Sequence, residues 1–581
     1  MEVLQQRAFS TARFDCAFAY TLLLVGCAGH QITPTTALDG PEGASANSKL
    51  PLKHAPQPTT AAITARDLIT RLYIFADDSV MGRPAGSAGN RKATAYIAGE
   101  FRSMGLVPAG DAGTYFQAVP LMRVGVADDV ALGVNEHELE QGEDFLLRTG
   151  SGTSPVLDGA RTIYGGPASD STQWISDEAA AGKIVLFTVP SSPGGKRQFV
   201  RIAPFLQRFS HAAAIGIAEL DLASPTILSA FSTAATVLDV PDAPLAPYVI
   251  LLSPAAADSL FGGPLNSARV GMPGRTTRAR VSIRRVPVEA RNVVAVLPGS
   301  DPALRAQYLA IGAHNDHIGM SGQPVDHDSI RAYNLALKVR GLGPAHGFPL
   351  EQPDSLVKVN VDSLRRLRPA RPDSVYNGAD DDGSGTVALL EVAQAMASAK
   401  QRPRRSILFI SHTAEETGLL GSRWYTDHPT VHRESIVAYL NMDLFGGGGA
   451  ESVAAERPPY LQVVGSRRLS TELGELVDRA NGDQRQPLAL DYALDAPGHR
   501  SRKYCRSDHV SYARFGIPVV FFSTGYHVDY HQVTDEPQYI NYHHLERVTH
   551  FVHDVALRVA GLNHRVAVDK PQPDPRAPCV Q

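Results

Sequence analysis

In the C-terminal half of the chain, short apolar runs alternate with segments whose apolar residues recur every three or four positions. Asn292–Leu297, Tyr308–Ala313, Ser406–Ser411, Ile436–Met442, Leu461–Val464 and Val519–Ser523 are of the first kind and predict strands. Thr386–Ala399, Leu419–Asp427, Thr471–Ala480, Val510–Phe515 and His544–Val559 are of the second kind and predict helices. Two further helices are predicted over Thr60–Ala76 and Asn90–Met104, the latter stopped by Gly105. From about 125 to 288 the texture changes to β-rich runs such as Lys183–Val189 and Tyr248–Leu252, broken by Gly and Pro. The alternation predicts an α/β/α sandwich on a mixed, mostly parallel sheet, and the change of texture predicts a β-rich domain inserted at 125–288.

Polar clusters follow the predicted strands, where such folds gather ligands. They are Ala313-His314-Asn315-Asp316, Asn377 to Gly385 with its Asp380-Asp381-Asp382 core, Ala414-Glu415-Glu416-Thr417-Gly418, Asn441-Met442-Asp443, and Asp529-Tyr530-His531 with Asp535. Any one of these reads as a solvated acidic loop. Together they supply imidazoles and carboxylates without thiolate, which suits zinc or a related divalent ion. There are more candidate ligands than one tetrahedral ion needs, so a carboxylate-bridged pair fits better. H-E-x-x-H, the G-x-S-x-G elbow and the P-loop are all missing. Ser384 is read as the start of a helix, not as a nucleophile.

The remaining composition narrows the class. Lys+Arg 55 against Asp+Glu 59 gives a net charge of −4, with no positive excess for phosphates, so nucleic acid is not an expected partner. Four cysteines in 581 residues exclude both a disulfide framework and a Cys-based zinc site, and Cys505 and Cys579 are left as free or of unknown pairing. Arg7 and Arg13 before the apolar run Cys16–Val25 describe an export signal. Leu24-Val25-Gly26-Cys27 resembles a bacterial lipobox, which makes Cys27 the expected lipidated first residue of a protein held at the cell envelope. The alternative is plain secretion. Residues 28–62, rich in small and polar residues, read as a tether, and 566–581 as a tail.

The order of the motifs resembles the M28 family of co-catalytic zinc aminopeptidases. The resemblance rests on Gly378-Ala379-Asp380-Asp381-Asp382-Gly383-Ser384-Gly385, Glu415-Glu416-Thr417-Gly418-Leu419-Leu420-Gly421-Ser422, Asn441-Met442-Asp443 and Tyr530-His531. Met81-Gly82-Arg83-Pro84-Ala85-Gly86-Ser87 resembles the opening segment of bacterial members. A catalytic domain over 63–124 and 289–565 is implied, and the insert resembles a protease-associated domain at Lys183-Ile184-Val185-Leu186 and Ala212–Ala218. The resemblance implies two Zn²⁺, other divalent ions being possible. Asp381 would bridge them, Glu416 and His531 would complete one ligand set, and His314 with Asp443 the other. It implies Glu415 as general base, Tyr530 as oxyanion stabiliser, Asp316 as the group orienting His314, and a cis peptide at Asp381–Asp382. Peptides with a free N-terminus would be the substrates, and the lipid anchor the only membrane contact. A glutamate-carboxypeptidase-like enzyme, a glutaminyl-cyclase-like acyltransferase and a transferrin-receptor-like scaffold are the alternatives. The segment between His314 and Asp381 is longer than that core needs, which points to a loop insertion at 321–376. Its basic run Arg365–Arg371 reads as a solvated face, and His543, His544, His550 and His553 read as packing or surface residues.

Overall fold

The computed structural model describes residues 50–127, 129–149, 154–191, 199–200, 202–240, 246–340, 357–447 and 459–581. The export signal and Cys27 lie outside the described residues. Among those described, no helix is long and apolar enough to cross a membrane.

A ten-stranded sheet organises the larger part of the chain. Its main strands are β1 (Phe116–Val126), β2 (Ala235–Leu238), β3 (Ile283–Leu297), β4 (Tyr308–His314), β5 (Ser406–His412), β6 (Ile436–Met442), β7 (Tyr460–Val464), β8 (Ala489–Asp491) and β9 (Val519–Ser523), in the order β8-β7-β9-β6-β4-β5-β3-β1-β2. The centre is parallel: β4 pairs with β5 and with β6, and β6 with β9. β3 runs antiparallel to β5, and β7 antiparallel to β9. Every residue of β5, β6 and β9 is buried, as expected of strands covered on both faces.

The pleat sends alternate side chains to two cores. Leu309 and Ile311 pack with Leu389, Val392, Val552 and Val555 beneath the helices Gly385–Ser398 and Tyr542–Gly561. Ala310, Leu408, Ile410 and Tyr439 face Tyr425 and Tyr512 of the opposite helices Leu420–Asp427 and His509–Ala513. This is the α/β/α layering expected from the alternation. The first two helices form at Ala65–Phe75 and Ala88–Ser103, capped by Thr64 and Ser87 through the amides of Asp67 and Asn90.

A second, eight-stranded sheet is built from strands between Ala131 and Arg280, with its own apolar clusters on both faces. It is joined to the first by the long antiparallel ribbon of β1 and β3, so positions 125 and 288 fall inside paired strands. One strand of the intervening span, β2, pairs with β1 at the edge of the larger sheet.

Three peripheral segments differ from expectation. Within the tether, Leu50 packs on the main core, the Pro51 carbonyl accepts from the Tyr73 hydroxyl, and Lys53 pairs with Asp77 and Asp78. The tail is fastened by a Cys505–Cys579 disulfide (Cα–Cα 5.7 Å) and by Gln581, which accepts from the Tyr504 amide and donates to the Leu494 carbonyl. The basic run is largely ion-paired: Arg365 with Asp326, Arg368 with Asp328, and Arg371 with Glu536 at 2.7 Å.

Candidate metal centre

The carboxyl ends of the parallel strands converge on one buried cluster. His314 closes β4, Asp443 follows β6, Glu415 and Glu416 lie in the turn after β5, and His531 lies on the loop after β9. Asp381 enters from the turn ahead of the helix Gly385–Ser398, and its bond to Asp382 is cis, as the resemblance implies. His314 Nε2 lies 3.2 Å from one oxygen of Asp381 and 4.0 Å from Asp443. His531 Nε2 lies 2.9 Å from the other oxygen of Asp381 and 3.2 Å from Glu416. Asp381 therefore offers its two oxygens to two different groups of ligands.

The turns carrying these residues are bent into unusual backbone. Ala414 before Glu415, Leu444 after Asp443, and His531 itself have φ of 57°, 62° and 56°. Left-handed conformations cost non-glycine residues about 1–2 kcal/mol each, and such strain gathers where side-chain placement is constrained by function.

The expected base and its neighbour diverge. Glu415 Oε2 stands 4.0 Å from His314, on the side of Asp443, while Glu416 faces His531. Among the protein groups alone, burial pushes Glu415 well above the ordinary carboxylate range; His314 opposes this, and Glu416 and Asp443 add to it. Burial acts the same way on Asp381, but the nearby imidazoles of His314 and His531 outweigh it and hold Asp381 well below its usual value. The Tyr530 ring stacks on His531 at 3.9 Å, and burial raises its hydroxyl far above the ordinary tyrosine value.

The surroundings hold these groups in place. Asp535 accepts from the amides of Asp380 (2.9 Å) and Asp381 (3.2 Å), and Ser507 donates to Asp443 at 2.7 Å. His314 is set differently from expectation. Its Nδ1 meets the backbone carbonyl of Asp316 at 3.1 Å, while the Asp316 carboxylate stands 3.8 Å away and accepts from the Glu415 amide. Ser384 stands at the start of the helix Gly385–Ser398, as expected; its hydroxyl donates to Asp380 and accepts from the Phe445 amide, tying two ligand-bearing turns together. The loop insertion braces the His531 loop, since Arg331 and Asn334 bind Asp529, and Asn334 also reaches Thr534.

Two contributors are not singled out by the sequence. Arg83 is fully buried and donates to the carbonyls of Gly378 (2.8 Å), Asn315 (3.3 Å), Asn377 and Phe75, so that it clamps the His314 and Asp381 loops. His317, three residues after His314, is buried beside Glu416. Motif order flags the segment containing Arg83 but not its role, which depends on contacts more than 200 residues away.

Four buried carboxylates at such separations need positive charge, because isolated buried anions are strongly disfavoured. Protonated histidines supply part of it, yet the Nε2 atoms of His314 and His531, at 3.2 Å and 2.9 Å from Asp381, form no well-directed hydrogen bond. Mixed imidazole and carboxylate donors with orphaned ring nitrogens fit divalent cations.

Fold and cluster thus define a mixed α/β protein with a carboxylate–imidazole cluster at the strand ends that could hold metal ions. Residues 292–556 match the model described as Peptidase family M28. Among curated relatives it is 28% identical over 179 residues to leucine aminopeptidase 1 of Aspergillus fumigatus, covering 29% of this chain and 43% of that one. It is 39% identical over 97 residues to mouse aminopeptidase NAALADL1, covering 16% and 13%. The matched stretches therefore span less than half of these relatives. A zinc aminopeptidase from Bacillus subtilis aligns over 88% of this chain and all of its own, at 15% identity and a TM-score of 0.44.

Proposed function

We propose that the chain is a metallo-exopeptidase that releases N-terminal amino acids from peptides, using two divalent cations, zinc in the first instance. The carrying observation is the two-sided Asp381, with His314 and Asp443 on one side and Glu416 and His531 on the other. Two such sets favour this reading over a single-metal cyclase, and the presence of every expected ligand favours it over a scaffold that has lost them.

Bound cations would polarise a water and the scissile carbonyl. Glu415, close to both ligand sets but aligned with neither as a chelator, takes the proton of the attacking water and returns it to the leaving amine. The Tyr530 hydroxyl donates to the developing oxyanion. A substrate whose free α-amino group lies against this cluster would be cut at its N-terminal residue, which is what makes the reading an exopeptidase. Cys27 belongs to the same reading as the lipidated residue that holds the enzyme at the envelope; Cys27→Ser should move it from the membrane to the soluble fraction.

The adjacent glutamates provide the test. Glu415→Ala should lower turnover of an aminoacyl-anilide by about 10²–10⁴ with metal content unchanged. Glu416→Ala should instead lose one cation, and added zinc should restore part of its activity. Full activity in Glu415→Ala, or metal loss there and not in Glu416→Ala, would reverse the assignment. Hydrolysis of peptides with blocked and free N-termini alike would remove the exopeptidase reading.

A further inference from the structure

The two ligand sets are not equivalent. His314, Asp381 and Asp443 supply three donor atoms to one, whereas His317, Asp381, Glu416 and His531 place four donor atoms within 4.8 Å of one another. His317 Nδ1 lies 2.7 Å from Glu416 Oε1 and 3.7 Å from Asp381 Oδ2. His531 Nε2 faces the same two carboxylates, at 3.2 Å and 2.9 Å, and the two imidazoles meet edge to face at 5.4 Å. A tetrahedral cation with bonds near 2.0–2.2 Å keeps its donors about 3.3–3.6 Å apart. The four separations bracket that range, with Glu416 turning Oε1 to His317 and Oε2 to His531.

His317 is held there by the fold. Its amide donates to the Arg83 carbonyl, and its ring rests against Gly378, where a Cβ would come within 2.5 Å of His317 Cγ. Gly378 also has φ of 56°, so both its conformation and the ring's place favour the absence of a side chain. The charge balance fits as well. Asp381, Glu415, Glu416 and Asp443 already match two dications, so a further ligand is best neutral, and imidazole is neutral when it coordinates.

Resting on the two-cation reading above, we infer that His317 is a fourth protein ligand of the cation held by Asp381, Glu416 and His531. That cation would then carry one protein ligand more than the cation of His314, Asp381 and Asp443, which would keep the more open coordination. Closed four-ligand sites hold structural ions, and three-ligand sites leave room for water or substrate. The rival role is a hydrogen bond from His317 that only orients Glu416.

The deciding experiment replaces the imidazole by a ligand with its own spectroscopic signature. The full-length His317→Cys protein, loaded with Co²⁺, should show a near-ultraviolet thiolate-to-cobalt charge-transfer band absent from the parent. His317→Ala should weaken the tighter of two Zn²⁺ equilibria by about 10³-fold or more, beyond the 10–100-fold typical of a group that merely orients a ligand. Circular dichroism of the metal-free variants checks that both fold. Two cations bound with no charge-transfer band, together with a loss within 100-fold for His317→Ala, would overturn the inference and leave the two-cation reading standing. Failure of the parent protein to bind two cations would overturn both.

Discussion

Both sheets contain a block of buried parallel strands, yet only one carries chemistry at its strand ends. In the larger sheet, β4, β5, β6 and β9 lead into His314, Glu415 and Glu416, Asp443 and His531. In the smaller one, Arg161–Pro167, Ile184–Thr188, Ala214–Ile217 and Tyr248–Leu252 are also parallel, and lead into Ala168, Val189, Ala218 and Ser253. Among the described residues, no metal-ligand group falls between 125 and 288. The fold supplies the crevice, and the residues filling the turns decide whether it is a site.

The largest effect that would sharpen this contrast comes from the shared carboxylate. Asp381→Asn should abolish retention of both cations, read by elemental analysis after gel filtration, and chelation of the parent should remove activity that zinc restores. Retention of two cations in that variant would break the contrast, since another group would then be joining the ligand sets. Next comes the clamp. Arg83→Met removes a donor from four buried carbonyls, of which Gly378 and Asn315 keep a second in the Gly383 amide and Asn90; each carbonyl left bare costs about 1–3 kcal/mol where water cannot reach. A stability loss of about 4 kcal/mol in urea unfolding, with weakened metal binding, is expected. Leu186→Ala in the smaller sheet should cost about 3 kcal/mol by opening a cavity, but leave metal stoichiometry and turnover untouched. Loss of a cation there would show that the sheets are energetically one unit. The smallest effect is at the tail: Cys579→Ser removes the bond closing a 74-residue separation and should cost about 2 kcal/mol, again without loss of metal.

The parallel core was legible because each of its strands is a short, mostly apolar run. Ile436–Met442 and Val519–Ser523 coincide with the expected bounds, and the helices agree to within a turn, apart from the first, which starts at Ala65 and not at Thr60. The motifs also place the expected ligands together, because the turns after parallel strands leave the sheet at the same end. Other features were hidden, for different reasons. His317 shares a short motif with His314, and spacing along a loop does not tell which of two imidazoles turns inward. β2 is a half-buried run of four residues, too short to show which sheet it joins. Cys505 and Cys579 pair across a separation that no local pattern encodes. Asp316 was expected to orient His314 through its carboxylate, whereas its backbone carbonyl meets the ring, and the hydroxyl of Ser384 bridges two turns that the sequence does not show to be adjacent.

The ligands are spread from His314 to His531, and Arg83 stands far ahead of them. At a synthesis rate of roughly 5–20 residues per second, about 10–40 s separate the first ligand from the last. Throughout that interval the growing chain holds only part of the cluster and has no second cation set to close. On the function proposed above, peptide cutting is thereby withheld until the last ligand has been made.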